Sequence, residues 1–156
     1  MSNHERENMT MVSDIILKPL TRRDYPALES LLLAEKLPVE GVAEHLVNFI
    51  GLFRGGKLIG AVGLEIYGAA ALLRSLVVTG SEQGKGYGKQ LYRAIIDKAR
   101  EAGVGEIYLL TETAERFFAA RGFRKIPREQ ADPAVQQSVE FRSACPASAV
   151  CMVYVG

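Results

Sequence analysis

Few of the residues that build cross-linked or metal-dependent sites occur in this chain. Its 156 residues include two cysteines and two histidines. Because two thiols do not form the disulfide framework of a small secreted protein, we expect Cys145 and Cys151 to be reduced. His4 and His45 form no cluster with metal-ligand spacing and no Ser-His-Asp arrangement. The sequence therefore predicts neither a catalytic metal nor such a triad.

An excess of charge of either sign is also absent. Nineteen Lys and Arg residues against eighteen Asp and Glu residues leave a formal net charge of +1. A chain so balanced has no overall field to attract nucleic acid or an anionic membrane, so we expect neither as a partner. The first thirteen residues are polar and lack an apolar stretch typical of a signal peptide or a membrane span. We expect a cytoplasmic protein with a flexible tail over residues 1–13.

The remaining residues, 14–156, are expected to form a single domain. A chain of this length can bury about two-thirds of its unfolded surface around one core. Apolar periodicity and turn residues predict helices at 87–102, 114–120 and 133–141, with one helix after Thr21 and another after the loop at 37–41. The predicted strands are Ile15–Pro19, Phe49–Arg54, Lys57–Tyr67, Ala70–Val78, Glu106–Thr111, 123–126 and 149–155. This order indicates a mixed α/β fold.

A glycine-rich turn connects the predicted strand Ala70–Val78 to the long helix. Glycines let a backbone approach a phosphate closely, and the N-terminus of a helix offers unpaired N–H groups to it. We therefore expect a pyrophosphate at residues 84–89. The turn lacks the Gly-Lys-Ser/Thr ending of a P-loop and the G-x-G-x-x-G pattern of dinucleotide-binding proteins.

Three basic residues, Lys85, Lys89 and Arg93, recur every four residues beside this turn. They share one face of the predicted helix, where they would meet further phosphate charge. A solvated basic surface explains the same spacing equally well.

The sequence Gln-x-x-Gly-x-Gly at residues 83–88 resembles the acetyl-CoA motif of the GNAT acetyltransferases. It stands between a strand and a helix, followed by a strand and a short helix ending at Arg121-Gly122-Phe123, as in that family. The resemblance covers residues 14–126. It implies the GNAT fold, which is a mixed, mostly antiparallel, twisted sheet of about six to seven strands with flanking helices.

The resemblance also implies where acetyl-CoA, as co-substrate, would bind. The strands at 70–78 and 105–111 should splay apart and admit the pantetheine arm between them. The residues implied in cofactor binding are Leu76, Val77 and Val78 along the strand, Gln83, Gly84, Lys85, Gly86, Tyr87, Gly88 and Lys89 at the pyrophosphate, and Phe118.

The family's usual general acid is missing. Many members have a tyrosine four residues before the Gly-Phe pair, and Phe118 occupies that position here. Phenylalanine can pack against the cofactor but cannot donate a proton. Water, Tyr67 or Tyr108 is then left as the donor.

Two charged residues are the candidates for catalysis. Glu65 is the predicted base, although a solvated glutamate at a strand end is the alternative interpretation. Arg74 interrupts an apolar run and needs an anionic partner. That partner is either a protein carboxylate such as Glu65 or Glu112, or the carboxylate of the acceptor.

Further resemblances suggest an acceptor. Residues 73–77 look like the corresponding strand of amino-acid N-acetyltransferases, which implies that Glu65, Arg74 and Ser75 bind an amino acid or an analogue. A wider resemblance is to GNAT proteins of arsenic-resistance operons, and the segments that support it are 37–38, 44–46, 63–65, 72–76, 109–111, 140–141 and 145–149. Cys145 and Cys151 could bind a thiophilic arsenical, or be merely structural.

The sequence thus predicts an N-acetyltransferase that transfers acetyl directly from acetyl-CoA to the amine of a small molecule. Two other hypotheses remain: a catalytically silent acetyl-CoA sensor, motivated by Phe118, and a protein or peptide N-acetyltransferase. Either a monomer or a homodimer is compatible with the sequence.

Overall fold

A computed structural model describes residues 14–156, and the tail expected at residues 1–13 lies outside the described residues. The described part contains seven strands: β1 (Ile15–Pro19), β2 (Phe49–Arg54), β3 (Lys57–Tyr67), β4 (Ala70–Val78), β5 (Glu106–Thr111), β6 (Arg124–Ile126) and β7 (Val150–Val155). They form one sheet of order β1-β2-β3-β4-β5-β7-β6. Within it only β4 and β5 pair in parallel. The predicted mixed, mostly antiparallel sheet is confirmed.

Helices flank this sheet. The α-helices are α1 (Tyr25–Ala34), α2 (Tyr87–Glu101), α3 (Glu115–Ala119) and α4 (Pro133–Gln136). Short 3₁₀ turns occupy Arg22–Asp24, Ala43–Asn48, Gly80–Glu82 and Arg128–Gln130, and a π-helical turn occupies Glu140–Ala144. No helix in residues 14–156 is both long enough and apolar enough to cross a membrane.

Two helical predictions need correction. The helix expected after residues 37–41 is a 3₁₀ turn, Ala43–Asn48. The helix expected over 133–141 stops at Gln136, because the amides of Gln137 and Ser138 donate to carbonyls three residues earlier and close the turn. The chain then winds again, more loosely, from Glu140.

Helices α1 and α2 cover opposite faces of the sheet. Successive side chains of a strand point to opposite faces. Accordingly, Leu58 of β3 packs in a cluster with α1, whereas its neighbour Ile59 packs in a cluster with α2. The predicted apolar stripe of α2 (Leu91, Ile95, Ile96 and Ala99) is buried in that second cluster.

A bulge in β4 reshapes the sheet near its centre. Ala61 pairs with Val77 and Gly63 with Arg74, so that Val62 of β3 spans two residues of β4, Ser75 and Leu76. Ser75 has a φ of 62°, a left-handed conformation that non-glycine residues seldom adopt. Such bulges redirect side chains and often adjoin active sites.

Strands β4 and β5 separate beyond their first residues. They pair over Ala70–Leu72 and Glu106–Tyr108 only. The remaining residues of β4 have no partner on that side, which confirms the predicted splay. The gap opens towards the bulge and towards the glycine-rich turn that follows β4.

Candidate active site

A cavity of about 640 Å³ occupies the gap between the splayed strands. Leu73, Arg74, Ser75 and Leu76 of β4 form one wall, and the end of β5 with residues 112–114 forms another. Residues 35–38 and Glu40 close one side, while the turn from Glu140 to Pro146 closes a further side. Side chains of four separate segments therefore meet around one cavity.

The glycine-rich turn forms a cradle of unpaired amides at the N-terminus of α2. Gly84 and Gly86 have φ values of 83° and 84°, and a Cβ on either would meet no heavy atom within 4 Å. No acceptor among residues 14–156 receives a hydrogen bond from the amides of residues 84–89. Successive free N–H groups in left-handed turns make an anion-binding concavity, so the predicted residues 84–89 fit a pyrophosphate.

Contacts that the sequence did not reveal hold this cradle in place. Arg54, at the end of β2, donates to both carboxylate oxygens of Glu82, at 3.1 and 3.2 Å, and to the hydroxyl of Tyr87, at 2.6 Å. Lys85 also contacts Glu82, at 2.9 Å. Lys89 and Arg93 are exposed beside the cradle. No sequence motif links Arg54 to a turn about thirty residues later, so only the fold could identify it.

Gln83 connects the cradle to the cavity. Its side-chain nitrogen donates to the carbonyl of Val78, at 2.9 Å, and to the carboxylate of Glu35, at 3.2 Å. Leu76 lines the cavity, whereas Val77 is buried on the α1 side of the sheet. Of the predicted cofactor-binding residues of β4, Leu76 therefore lines the cavity and Val78 contacts Gln83, whereas Val77 lies on the other face.

Phe118 lies on the cavity wall within a group of aromatic rings. Its ring centroid is 5.1 Å from that of Phe117 and 5.4 Å from that of Phe123. The two tyrosines considered as proton donors, Tyr67 and Tyr108, do not line the cavity. Burial, followed by hydrogen bonding to Glu65, raises the pKa of Tyr67, and burial also raises the pKa of Tyr108.

Arg74 pairs with protein carboxylates, as one of the two interpretations expected. Its Nη1 donates to Glu65 Oε2, at 2.8 Å, and its Nε lies 3.3 Å from Glu140 Oε2. Glu112, the other carboxylate considered, is exposed and does not pair with Arg74. We call the three buried side chains Glu65, Arg74 and Glu140 the ion cluster.

Backbone groups complete the surroundings of Arg74. The carbonyls of Glu40 and Pro38 accept hydrogen bonds from Nη1 and Nη2, at 2.7 and 3.2 Å. Ser75 Oγ accepts from Nε, at 3.1 Å. Gly41 has a φ of 82°, and a Cβ there would lie 3.1 Å from Arg74 Nη1. The loop after α1 is therefore folded tightly onto the guanidinium.

Glu65 is buried, so the alternative interpretation of a solvated strand-end glutamate is wrong. It is 1% exposed. Tyr67 donates its hydroxyl to Oε1, and His45 Nε2 lies 3.4 Å from the same oxygen. Glu65 does not line the cavity, whereas Arg74, Ser75 and Glu140 do. The proposed roles of Glu65, Arg74 and Ser75 in catalysis and acceptor binding stay predictions.

Cys151 is buried, whereas Cys145 is partly exposed on the cavity wall. Burial, followed by the charge of Glu140, raises the pKa of Cys145 to about 12, and burial raises that of Cys151 to about 11. No group of three or more His, Cys, Asp or Glu side chains within residues 14–156 is arranged to hold a metal ion. The proposed binding of an arsenical by the two thiols stays untested.

These pKa values predict slow reaction of the native thiols. At pH 8 a thiol with a pKa near 12 is only about 0.01% thiolate, and thiolate is the reactive form. We expect a colorimetric disulfide reagent to modify Cys145 and Cys151 at least roughly tenfold more slowly in native protein than in guanidinium. Equal rates in the two conditions would show that the thiols are accessible and ionised in the native state.

Comparison with known proteins agrees with this geometry. Residues 11–123 match the model of the acetyltransferase (GNAT) family. An amino-acid acetyltransferase of Neisseria meningitidis is 31% identical over 93 residues, which cover 58% of this chain and 21% of that protein. An uncharacterized N-acetyltransferase of Chlorobaculum tepidum is 32% identical over 95 residues, which cover 60% of this chain and 61% of that protein. The chain thus matches about a fifth of the first relative and three-fifths of the second.

Solved structures share the fold at lower identity. N-acetylglutamate synthase from Neisseria gonorrhoeae, solved with coenzyme A and N-acetyl-glutamate, has a TM-score of 0.77 at 22% identity, over 90% of this chain and 35% of that one. A Mycobacterium tuberculosis protein solved with CoA also has a TM-score of 0.77, at 20% identity, over 90% of this chain and 99% of that one. With its splayed strands, its amide cradle and a family match over most of its length, the chain belongs to the acetyltransferase (GNAT) family.

Proposed function

We propose that this protein transfers an acetyl group from acetyl-CoA to the amine of a small molecule. The observation that carries the proposal is the contact of Gln83, which adjoins the cradle at residues 84–89, with Glu35 in the wall of the cavity between β4 and β5. The cradle presents free amides to a pyrophosphate. The cavity wall at Leu76 and Phe118 would then receive the acetyl end.

The cavity supports a small acceptor over a protein. Residues 35–38 and Glu40, from the loop after α1, form one of its walls together with the turn after α4. A protein substrate needs an open groove, whereas a walled cavity suits a compact molecule. An amino acid or a close analogue is our acceptor class, supported by the match to an amino-acid acetyltransferase and by Arg74 and Ser75 in the cavity wall. The resemblance to proteins of arsenic-resistance operons adds arsenic-containing amino acids to this class, in a cytoplasmic enzyme.

Direct transfer needs a neutral amine, a polarised thioester carbonyl and a proton for the departing thiolate. Positioning of two substrates in one cavity supplies much of the acceleration. Phe118 cannot donate a proton, and Tyr67 and Tyr108 lie away from the cavity. We therefore propose that water, or the attacking amine itself, protonates the thiolate.

The test is release of free CoA from acetyl-CoA, followed with a colorimetric thiol reagent. The panel should contain amino acids, phosphinic and arsenic-containing analogues, polyamines and short peptides. Reactions without protein and reactions without amine provide the background. Release with one class of amine, and detection of the acetylated amine by mass spectrometry, would establish the activity and its acceptor.

A second candidate function is a sensor that binds acetyl-CoA without turnover. Phe118 supports it, because phenylalanine cannot act as the usual proton donor. The same experiment separates the two functions when acetyl-CoA binding is measured in parallel by calorimetry. Binding without CoA release across the whole panel would support the sensor. Absence of binding would contradict both functions.

A further inference from the structure

Glu140 lies where the cavity meets the ion cluster. Its side chain is 5% exposed, and it lines the cavity that Leu76 and Phe118 also line. The π-helical turn brings it near Cys145, whose amide donates to the Glu140 carbonyl at 3.1 Å. Single π turns often occur at functional sites.

The ionisable groups that face Glu140 are Arg74, Glu65, Glu40 and the Cys145 thiol. One guanidinium therefore contacts two buried carboxylates, and the other basic side chain of this group, His45, lies beside Glu65. The cavity lining as a whole contains four glutamates against one lysine and one arginine. Such a wall favours the arrival of a cation, and an amine acceptor arrives as an ammonium ion.

Glu140 is better placed to accept a proton than Glu65. Glu65 has donors on both oxygens, from Arg74 and Tyr67, and does not line the cavity. The Arg74 Nε that lies near Glu140 donates instead to Ser75 Oγ. Burial, and to a lesser degree the nearby charge of Glu65, raises the pKa of Glu140, which brings this carboxyl closer to the working pH of a base.

We propose that Glu140 is the general base for the acceptor, held in position by Arg74 and Glu65. This role rests on the proposed acetyltransferase function. The Glu140 carboxylate takes one proton from the bound ammonium and leaves a neutral amine. The amine nitrogen forms a bond to the thioester carbonyl carbon, and the carbon–sulfur bond breaks. The sulfur receives the second proton that the nitrogen loses, and Glu140 returns its proton to solvent.

Glu140→Gln is the direct test, because it keeps the size and removes the base. With an amine identified by CoA release, we expect kcat at pH 7 to fall about 100-fold or more. The rise of kcat with pH that reflects Glu140 ionisation should disappear. Glu140→Asp should retain that rise with a smaller loss of kcat. Acetyl-CoA affinity should stay within about threefold in both variants.

Glu129→Gln is the matched control, since Glu129 is exposed in a 3₁₀ turn and does not line the cavity. It should leave kcat and its pH profile unchanged. A Glu140→Gln protein that melts like wild type and keeps both kcat and the pH profile would overturn the role of Glu140 alone. If Glu140→Gln does not fold, loss of the pH-dependent rise in folded Glu140→Asp would overturn it. Wild-type protein that releases no CoA with any amine would overturn the acetyltransferase function, and this role with it.

Discussion

Replacing Arg74 by alanine is expected to lower the free energy of unfolding by about 3–5 kcal/mol. The change leaves the carboxylates of Glu65 and Glu140 buried without their shared cation. It also leaves the carbonyls of Pro38 and Glu40 without that donor. Removing one partner of a buried ion pair costs this much because the remaining charge is neither solvated nor paired. For a domain of this size the melting temperature should fall by roughly 10 °C or more.

Urea unfolding of three variants, Arg74→Ala, Arg74→Lys and Arg124→Ala, measures how much stability the ion cluster contributes beyond the effect of removing any arginine side chain. Arg74→Lys keeps the charge but not the planar fork of donors, so we expect an intermediate loss. Arg124→Ala removes an exposed arginine and should change the unfolding free energy by less than about 0.5 kcal/mol. The loss of unfolding free energy in Arg74→Ala should also be smaller at pH 5 than at pH 7, because protonation of a buried carboxylate removes the negative charge that lacks its cation. A deficit equal to that of Arg124→Ala would show that the cluster does not stabilise the fold.

The ion cluster shows why sequence reasoning reached only part of the site. An arginine within the apolar run of β4 signalled a buried cation, and Glu65 was one of two carboxylates considered for it. Glu140 was missed as a partner, because it follows Arg74 by 66 residues and lies in a π-helical turn with no sequence signature. The contacts of Arg74 with the carbonyls of Pro38 and Glu40 could not be predicted either. They depend on the positive φ of Gly41, and a glycine in a loop does not by itself indicate which conformation it adopts.

The elements predicted best were those with long periodic patterns. Helix α2 and strands β2 to β5 have continuous apolar faces and glycine boundaries, and their predicted limits agree with the fold within one residue. The region after Pro127 was predicted less well. Its short turns are fixed by individual contacts, such as that of Asp132 with the Ala134 amide, and not by a repeating pattern. Local periodicity cannot specify structure that tertiary contacts select.

Replacing Gly86 by alanine is expected to weaken acetyl-CoA binding about tenfold, with little change in kcat. Gly86 has a φ of 84° at the start of α2, a conformation that costs an L-amino acid about 1–2 kcal/mol. The added Cβ meets no protein atom within 4 Å, so the cost arises from the backbone and from the methyl group in the phosphate cradle. A loss of 1.4 kcal/mol corresponds to a tenfold change in affinity. Calorimetric titration with CoA measures it without requiring an acceptor.

Substitutions of two other glycines serve as controls. They separate an effect on CoA binding at the cradle from the general effect of adding a side chain to a glycine. Gly103 has a φ of 79°, also with open space around it, at the opposite end of α2. Gly103→Ala should therefore cost similar folding stability and leave CoA affinity unchanged. Gly88 lies in the first turn of α2, where alanine favours the helix, so Gly88→Ala should bind CoA like wild type. If Gly86→Ala and Gly103→Ala lose equal stability and neither loses CoA affinity, the pyrophosphate does not bind at residues 84–89. In that case Lys89 and Arg93 belong to a solvated surface and not to a phosphate site.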